Sequence, residues 1–233
     1  SQIKIREGFL IVAIFWFVLS FFGAIPFLMD ESLKFSLVDA VFESASGWTT
    51  TGATVVSNID NLNKPLLLYR QLLQWLGGIG IVVLVLAILP ILGVGGMYLY
   101  KAETSSPVKD NKLSPRITET AKSLWGVYIV LTIACAVLYK IAGMSYFDAI
   151  GHSFSTVSIG GFSTHDASIG FYSSDLIKII CMVFMFLSAL NFVLHFLFYK
   201  NKSLTVYTSN SEMKSFLLII IILLLLVAIF STG

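Results

Sequence analysis

Charge is what this chain has least of. Only 12% of its 233 residues are Asp, Glu, Lys or Arg, against roughly 25% in a soluble domain, while 57% are hydrophobic and the mean hydropathy is +0.88. So small a polar supply cannot clothe a water-exposed surface. The composition therefore excludes an ordinary soluble enzyme or binding module and points to an integral membrane protein in a lipid bilayer. Cysteine is scarce too. Cys135 and Cys181 both fall inside apolar runs and read as small buried hydrophobes, which excludes a disulfide framework or a cysteine-based metal site. His152 and His165 lie in no recognisable catalytic or ligand motif. The net charge of +2 is no argument for a nucleic-acid partner, and none is expected. No signal peptide is visible. The chain opens on Ser1 and a short basic stretch, and it closes inside the apolar run from Phe216 to Phe230. Both ends read as cut, so a piece of a longer polytopic protein is expected.

What is present is a repeat. Ser36 to Thr54, SLVDAVFESASGWTTTGAT, has a second copy from Ser145 to Ser163, SYFDAIGHSFSTVSIGGFS, at a constant offset of 109 in the numbering. Six of the seventeen pairs from Ser36/Ser145 to Gly52/Gly161 are identical, including Asp39 with Asp148 and Gly52 with Gly161. Chance would give about one. Trp16 and Trp125 stand at the same offset, which carries the repeat into the preceding apolar segment. Each copy opens with a capping pair, Ser36-x-x-Asp39 and Ser145-x-x-Asp148, in which the Ser satisfies a free helix N–H and the Asp favours the first turn. The first copy reads as a helix of about 11 residues ending near Gly47. At about 1.5 Å per residue that is roughly half of a 30 Å hydrocarbon core. A segment apolar but too short to cross, set between segments long enough to do so, predicts a re-entrant half-helix.

The flanking spans follow in order. Gly8 to Met29 is apolar apart from Ser20, with Pro26 marking a kink or exit. Asn58 to Lys64 is a polar loop. Pro65 to Tyr100 is a long apolar stretch in which Gly77, Gly78 and Gly80 permit close helix approach, and Pro90, Gly93, Gly95 and Gly96 bend or end the helix. In the hydrophilic connection 101–122, Ser114-Pro115 reads as a helix start leading into the span Ser123 to Ala142. Leu176 to Tyr199 reads as one further span. If each half-helix leaves on the side it entered, stretches 1–7, 101–122 and 200–215 share one face of the membrane. They hold ten of the fifteen basic residues against five acids, net +5, and all other positions net −3. The positive-inside rule puts these stretches in the cytoplasm and makes the half-helices enter from outside.

A half-helix entering from outside points its C-terminal end at mid-membrane, where it favours cations. Irregular backbone at that depth is tolerable only where it lines a wet cavity or is buried in protein. The turns after the two half-helices, TTTGAT and VSIGGF, would offer carbonyl oxygens there, the way potassium pores replace a hydration shell. Gly52 and Gly161 suit a turn that needs permissive backbone angles. Two such turns cannot close a fourfold ring, which again suggests a longer protein.

The stretches SGWTTTGATVV, KLSPRITETAKSLW and FDAIGHSFSTVSIGGFSTHDASIG carry a resemblance. Taken together they resemble the Trk/Ktr/HKT superfamily of potassium transporters, and within it the bacterial TrkH-type uptake subunits, over essentially the whole chain. The resemblance implies an all-α integral membrane fold of span–pore-loop–span units around a potassium-channel-like pore. It implies residues 1–100 as a first repeat, 101–122 as a cytoplasmic linker, 123–199 as a second repeat, 200–215 as a linker and 216–233 as the first helix of a third. Thr49, Thr50, Thr51 and Gly52 would be one filter segment and Ser158, Ile159, Gly160 and Gly161 the next. The second departs from the family's simpler pattern at Ile159 and the doubled glycine. Potassium would sit at Thr50, Thr51, Gly52, Ile159, Gly160 and Gly161, with no organic cofactor and no enzymatic activity. A homodimer in the bacterial inner membrane and a cytoplasmic nucleotide-binding regulatory subunit of the TrkA type are the implied partners, with the basic linkers as contacts.

Other residues have plainer readings. Asp39 and Asp148 are helix caps rather than ion ligands. Glu43 and His152 occupy matching positions, and their difference argues against a shared ligand role. His165-Asp166 belongs to the outer vestibule. Asn191 and His195, four apart on one helix face, join helices. Arg70 and Lys178 sit near outer span ends and snorkel. Three rival readings remain. A secondary carrier (a proton- or sodium-coupled symporter) would bind its substrate at broken helices in an inverted repeat, which the charge sidedness opposes. An intramembrane enzyme would need a converging nucleophile or metal set around His152 or His165. A purely structural membrane subunit is the third.

Overall fold

The computed structural model describes residues 5–88 and 113–231, and these are helical with no strand among them. They divide into two compact units, Ser1–Ala189 and Leu190–Gly233. The expected bends at Pro90, Gly93, Gly95 and Gly96, and the linker as far as residue 112, lie outside the described residues.

The first unit holds two copies of one motif. Helix α1 (Ile5–Gly23) and the short α2 (Ile25–Met29) lead to the half-helix α3 (Leu37–Trp48), and α4 (Lys64–Ile88) follows. Helix α5 (Leu113–Ile141) leads to the half-helix α6 (Tyr146–Val157), and α7 (Asp175–Ala189) follows. Both ends of the two half-helices keep the offset of 109 read from sequence. Each has 12 residues, about 18 Å, too short to cross. Even the single 3₁₀ turns that follow, Ile59–Asn61 and Ser168–Phe171, start at that same offset. The copies part company at Pro26. It opens α2 and breaks the first span, whereas its counterpart, Cys135, itself buried, sits in an unbroken stretch of α5.

Helix α4 is the hub. It packs against both half-helices and against α5. Glycine makes the approach possible: a Cβ on Gly77 would strike the Trp48 carbonyl, and one on Gly78 would stand 2.8 Å from the Tyr128 hydroxyl and 2.9 Å from Ser158 Cβ. Trp75 on the same helix stacks on Phe154 of α6 at 5.2 Å, while its Nε1 donates to Thr132 Oγ1 at 3.0 Å. Between α2, α3 and α4, Ala24, Phe27, Ala40, Leu66 and Leu73 form one apolar cluster. The outward faces of α1 and α5 stay apolar and uncovered, with Phe17 and Val130 largely exposed, as a lipid-facing surface must be. Val12–Met29 and Ala121–Ile141 are long and apolar enough to cross a membrane.

In the second unit, α8 (Phe192–Asn201) and the short α9 (Thr205–Ser209) precede α10 (Ser211–Ser231), itself long and apolar enough to cross. Within Leu176 to Tyr199, read from sequence as one further span, the helix is interrupted. Helix α7 stops at Ala189, and Asn191 caps a new helix by accepting from Val193 N at 3.0 Å. The role expected of Asn191 and His195 holds: Asn191 Nδ2 donates to Glu212 at 3.2 Å and His195 Nδ1 pairs with the Tyr207 hydroxyl at 2.8 Å.

Replacing Gly77 by leucine forces α3 and α4 apart at the Trp48 carbonyl. The expected loss is about 1–3 kcal/mol, read as a lowered thermal midpoint of the detergent-solubilised protein, while Gly126→Leu, at a site with no atom of the described residues within 4 Å of a new Cβ, leaves it near the parent value.

Candidate functional site

The two half-helices start and stop by the same chemistry. Ser36 Oγ accepts from Asp39 N at 3.2 Å, and Asp39 accepts from Ser36 N at 3.0 Å, completing a capping box. Ser145 Oγ accepts from Asp148 N at 3.1 Å, and Asp148 uses its other oxygen to accept from Thr164 Oγ1 at 2.7 Å. Asp39 caps its helix as expected, whereas the Asp148 carboxylate holds the hydroxyls of Ser145, at 2.7 Å, and Thr164 in place of a backbone amide.

At the other end the chain turns back on itself identically in both copies. Thr49, Thr50 and Thr51 donate their amides to Ala45, Gly47 and Ser46. Their counterparts Ser158, Ile159 and Gly160 donate to Phe154, Thr156 and Ser155. Thr50 and Ile159 both hold φ of +55°, and Gly52 and Gly161 hold +76° and +84°. A β-branched residue in the left-handed region costs on the order of 1–3 kcal/mol and persists only where its surroundings over-determine it. The surroundings here are polar groups buried behind the turns.

Glu43 and His152 are the first of these. Glu43 accepts from Thr54 Oγ1 at 2.9 Å and from Val55 N at 3.0 Å. His152 holds the Asp148 carbonyl through Nδ1 at 2.9 Å and Ser163 Oγ through Nε2 at 2.9 Å. Thr54 and Ser163 are themselves counterparts. Their hydroxyls accept the amides of Val56 and His165, again counterparts, at 3.0 Å each. The two residues that differ between copies thus act alike, since each ties the segment leaving the turn back to its half-helix.

The remaining supports come from α4. Arg70, expected to snorkel, is instead wholly buried, because its guanidinium has more partners inside than an outer surface would offer. It forms an ion pair with Glu43 at 2.8 Å, donates to Thr54 Oγ1 at 3.0 Å and to the Ser163 carbonyl at 3.4 Å, and lies 4.3 Å from the centre of the Phe162 ring. Gln74, one turn further and fully buried, donates Nε2 to the Gly160 carbonyl at 2.7 Å and accepts from Phe162 N at 3.0 Å. Sequence reasoning missed both roles. The signal available was their spacing of four in an otherwise apolar helix, which puts two polar groups on one face. Lys178 lies in the first turn of α7, paired with Asp175 at 3.0 Å.

The two repeats also meet through the segments that follow their turns. His165 Nδ1 lies 2.6 Å from Asp60, its ring stacks 3.6 Å from Phe171, and Asp166 accepts from the amides of Ile59 and Asp60. The hydrogen bond with His165 is the main cause that holds the Asp60 carboxyl below its ordinary range. Among the described residues no group of three or more His, Cys, Asp or Glu could hold a metal ion. What the site offers a cation is backbone: two like turns at the negative ends of two half-helices, stiffened from behind.

A helical chain built from repeated span, half-helix, turn and span is a multi-pass membrane protein of the re-entrant-loop class. The chain belongs to the TrkH family of cation transport proteins, whose family profile matches residues 1–231. It is 56% identical over 218 residues to the Trk system potassium uptake protein TrkH of Halomonas elongata and 55% identical over 217 residues to TrkH of Escherichia coli K12, matches that take in 94% and 93% of this chain. It is 44% identical to the potassium uptake protein TrkG of Escherichia coli K12. Each match covers 45% of the relative, so the chain spans rather less than half the length of these curated proteins. The crystal structure of the potassium transporter TrkH from Vibrio parahaemolyticus superposes with a TM-score of 0.85 at 49% identity, covering 97% of this chain and 45% of that one. The chain is accordingly a multi-pass protein of the bacterial inner membrane.

The buried ion pair and the contact between Asp60 and His165 can each be tested by substitution. Arg70→Met strands the buried Glu43 carboxylate and costs about 3–5 kcal/mol, seen as a fallen thermal midpoint, and the double variant with Glu43→Leu recovers part of the loss. Asp60→Asn lowers the midpoint at pH 6. A carboxyl with a depressed pKa stabilises above its unfolded value of about 3.9 and ceases to as pH falls through the folded value, so the gap between parent and variant closes in acid.

Proposed function

We propose that this chain contributes two repeats of a potassium-uptake pore, with Thr49–Gly52 and Ser158–Gly161 as two of its filter segments. The observation that carries this is the identity of the two turns: the same amide-to-carbonyl bonds and the same left-handed residues at a constant offset of 109, each at the end of a 12-residue half-helix. Duplicated irregular backbone at membrane depth, rigidly braced, is suited to coordinating an ion by carbonyl oxygens. Potassium is the ion because the relatives are potassium uptake proteins. Thr50, Thr51, Gly52, Ile159 and Gly161 would carry the coordinating carbonyls. The Gly160 oxygen accepts from Gln74 and faces α4, so Gly160 would shape the segment.

Transport in this reading is passive conduction. A coupled carrier is the second reading, and it needs the half-helices to present opposite ends to one site. The charge bias of +5 on one face and −3 elsewhere instead favours two repeats in the same sense. The repeat and linker boundaries at 100, 122, 199 and 215 belong to this proposal. So do a homodimer and a TrkA-type nucleotide-binding subunit gating the pore from the cytoplasm against the basic stretches 101–122 and 200–215. Catalysis has no place in it.

The test is rubidium uptake by the full-length gene product that contains these residues, in cells lacking other potassium uptake. Gly161→Asp puts a charged side chain on a residue at φ +84° and is expected to reduce uptake to background with the protein still in the membrane, while His165→Ala keeps most of it. Full uptake by the glycine variant would remove the filter assignment. A loss confined to the histidine variant would favour a side-chain-based carrier.

A further inference from the structure

The second turn is held from outside its own repeat, and the way it is held decides where one carbonyl points. Gln74 lies on α4 of the first repeat. Its carboxamide spans Gly161, donating to the carbonyl on one side, Gly160, at 2.7 Å and accepting the amide on the other, Phe162, at 3.0 Å. A trans peptide is planar, with N–H and C=O pointing in opposite directions. Once the Phe162 N–H is aimed at Gln74, the Gly161 carbonyl, in the same peptide plane, is aimed away from it. A Cβ on Gly161 would meet no atom of the described residues within 4 Å, so the residue is not packed in on its side-chain face either.

The clip is built in. A Cβ on Gly160 would collide with the Gln74 carboxamide, so glycine there is what lets it close. A Cβ on Gly52 would collide with the Gly160 oxygen, so the first turn leans on the same peptide. Arg70, four residues back on the same face, holds the Phe162 ring and the Ser163 carbonyl, which keeps Phe162 N within reach. Both bonds from Gln74 to the turn are buried.

We propose that Gln74 is a positioning residue for ion discrimination: it turns the Gly161 carbonyl into the ion path and fixes the peptides on both sides of it. The proposal rests on the reading of Ser158–Gly161 as a filter segment. A carbonyl free to rotate can follow a smaller ion, and a clipped one cannot, so losing the clip should blunt the preference for potassium over sodium more than it lowers transport.

The experiment uses the full-length gene product in cells lacking other potassium uptake, and measures rubidium uptake together with its inhibition by potassium and by sodium in the same cells. The ratio of the two inhibition constants does not depend on how much protein reaches the membrane. Gln74→Met keeps the shape and removes both bonds. It is expected to lower the potassium-over-sodium ratio about tenfold, the scale of one or two lost hydrogen bonds. Gln74→Glu keeps an acceptor for Phe162 N but loses the donor to Gly160, and is expected to fall between. Gly161→Asp runs alongside. If Gly161→Asp abolishes uptake while both Gln74 variants keep the parent ratio, the clip is only structural and the proposal fails with the filter reading intact. If Gly161→Asp transports normally, the filter reading fails and the proposal with it. Should Gln74→Met not reach the membrane, the ratio in Gln74→Glu decides: an unchanged value overturns the proposal and a lowered one supports it.

Discussion

The ion pair between Glu43 and Arg70 is the contact on which the rest of the first unit depends. Both side chains are fully buried. Taking two charges out of water costs several kcal/mol per ion, and the attraction between them offsets this only when their other lone pairs and protons are used as well. Here they are used on backbone and hydroxyls that need holding. Glu43 accepts from Thr54 and Val55, and Arg70 donates to Thr54 and to the Ser163 carbonyl. The bonds that make the burial tolerable are the bonds that join one half-helix, the hub helix and the exits of both turns. Since the pair is comfortable in only one geometry, those four parts share one geometry.

The second repeat reaches the same end without a buried carboxylate. His152 stands where Glu43 stands and ties Ser163 as Glu43 ties Thr54. A brace between a half-helix and the segment that leaves it needs one acceptor of the right reach, and carboxylate and imidazole both qualify. The backbone is therefore the repeated feature and the brace is free to vary. Divergence at these positions, read from sequence as evidence against a shared catalytic or ligand role, is compatible with a common structural role met by two chemistries.

How far the sequence can be read follows from how local each signal is. The caps at Ser36 and Ser145, the short half-helices and the constant register between the copies depend on neighbours within a few positions, and they appear where expected. The break at Leu190 and Asn191 is hidden because apolar residues continue on both sides with neither proline nor glycine between. Asn191, a strong N-cap residue, is the one available hint. Arg70 and Gln74 escape a sequence reading for a different reason. Position along a helix shows how deep a residue lies, but not which way it faces. Their hydrogen-bond partners stand 16 to 93 residues away for Arg70 and 86 and 88 for Gln74. Only the packing of α4 against both half-helices brings them together.

The scarcity of charge and the strained turns belong to one account. Thr50 and Ile159 sit at φ +55°, a conformation that costs each on the order of 1–3 kcal/mol. Apolar packing alone could not hold them, because it is non-directional and would accept a relaxed turn of the same volume. Hydrogen bonds to buried groups are directional, and leaving one unmade costs about 1–3 kcal/mol, comparable to the strain itself. A chain this poor in charge nonetheless commits Glu43 and Arg70, with Gln74 and His152, to the space behind the turns, away from water. Polar groups so placed fix the backbone, and the backbone is what the two turns present.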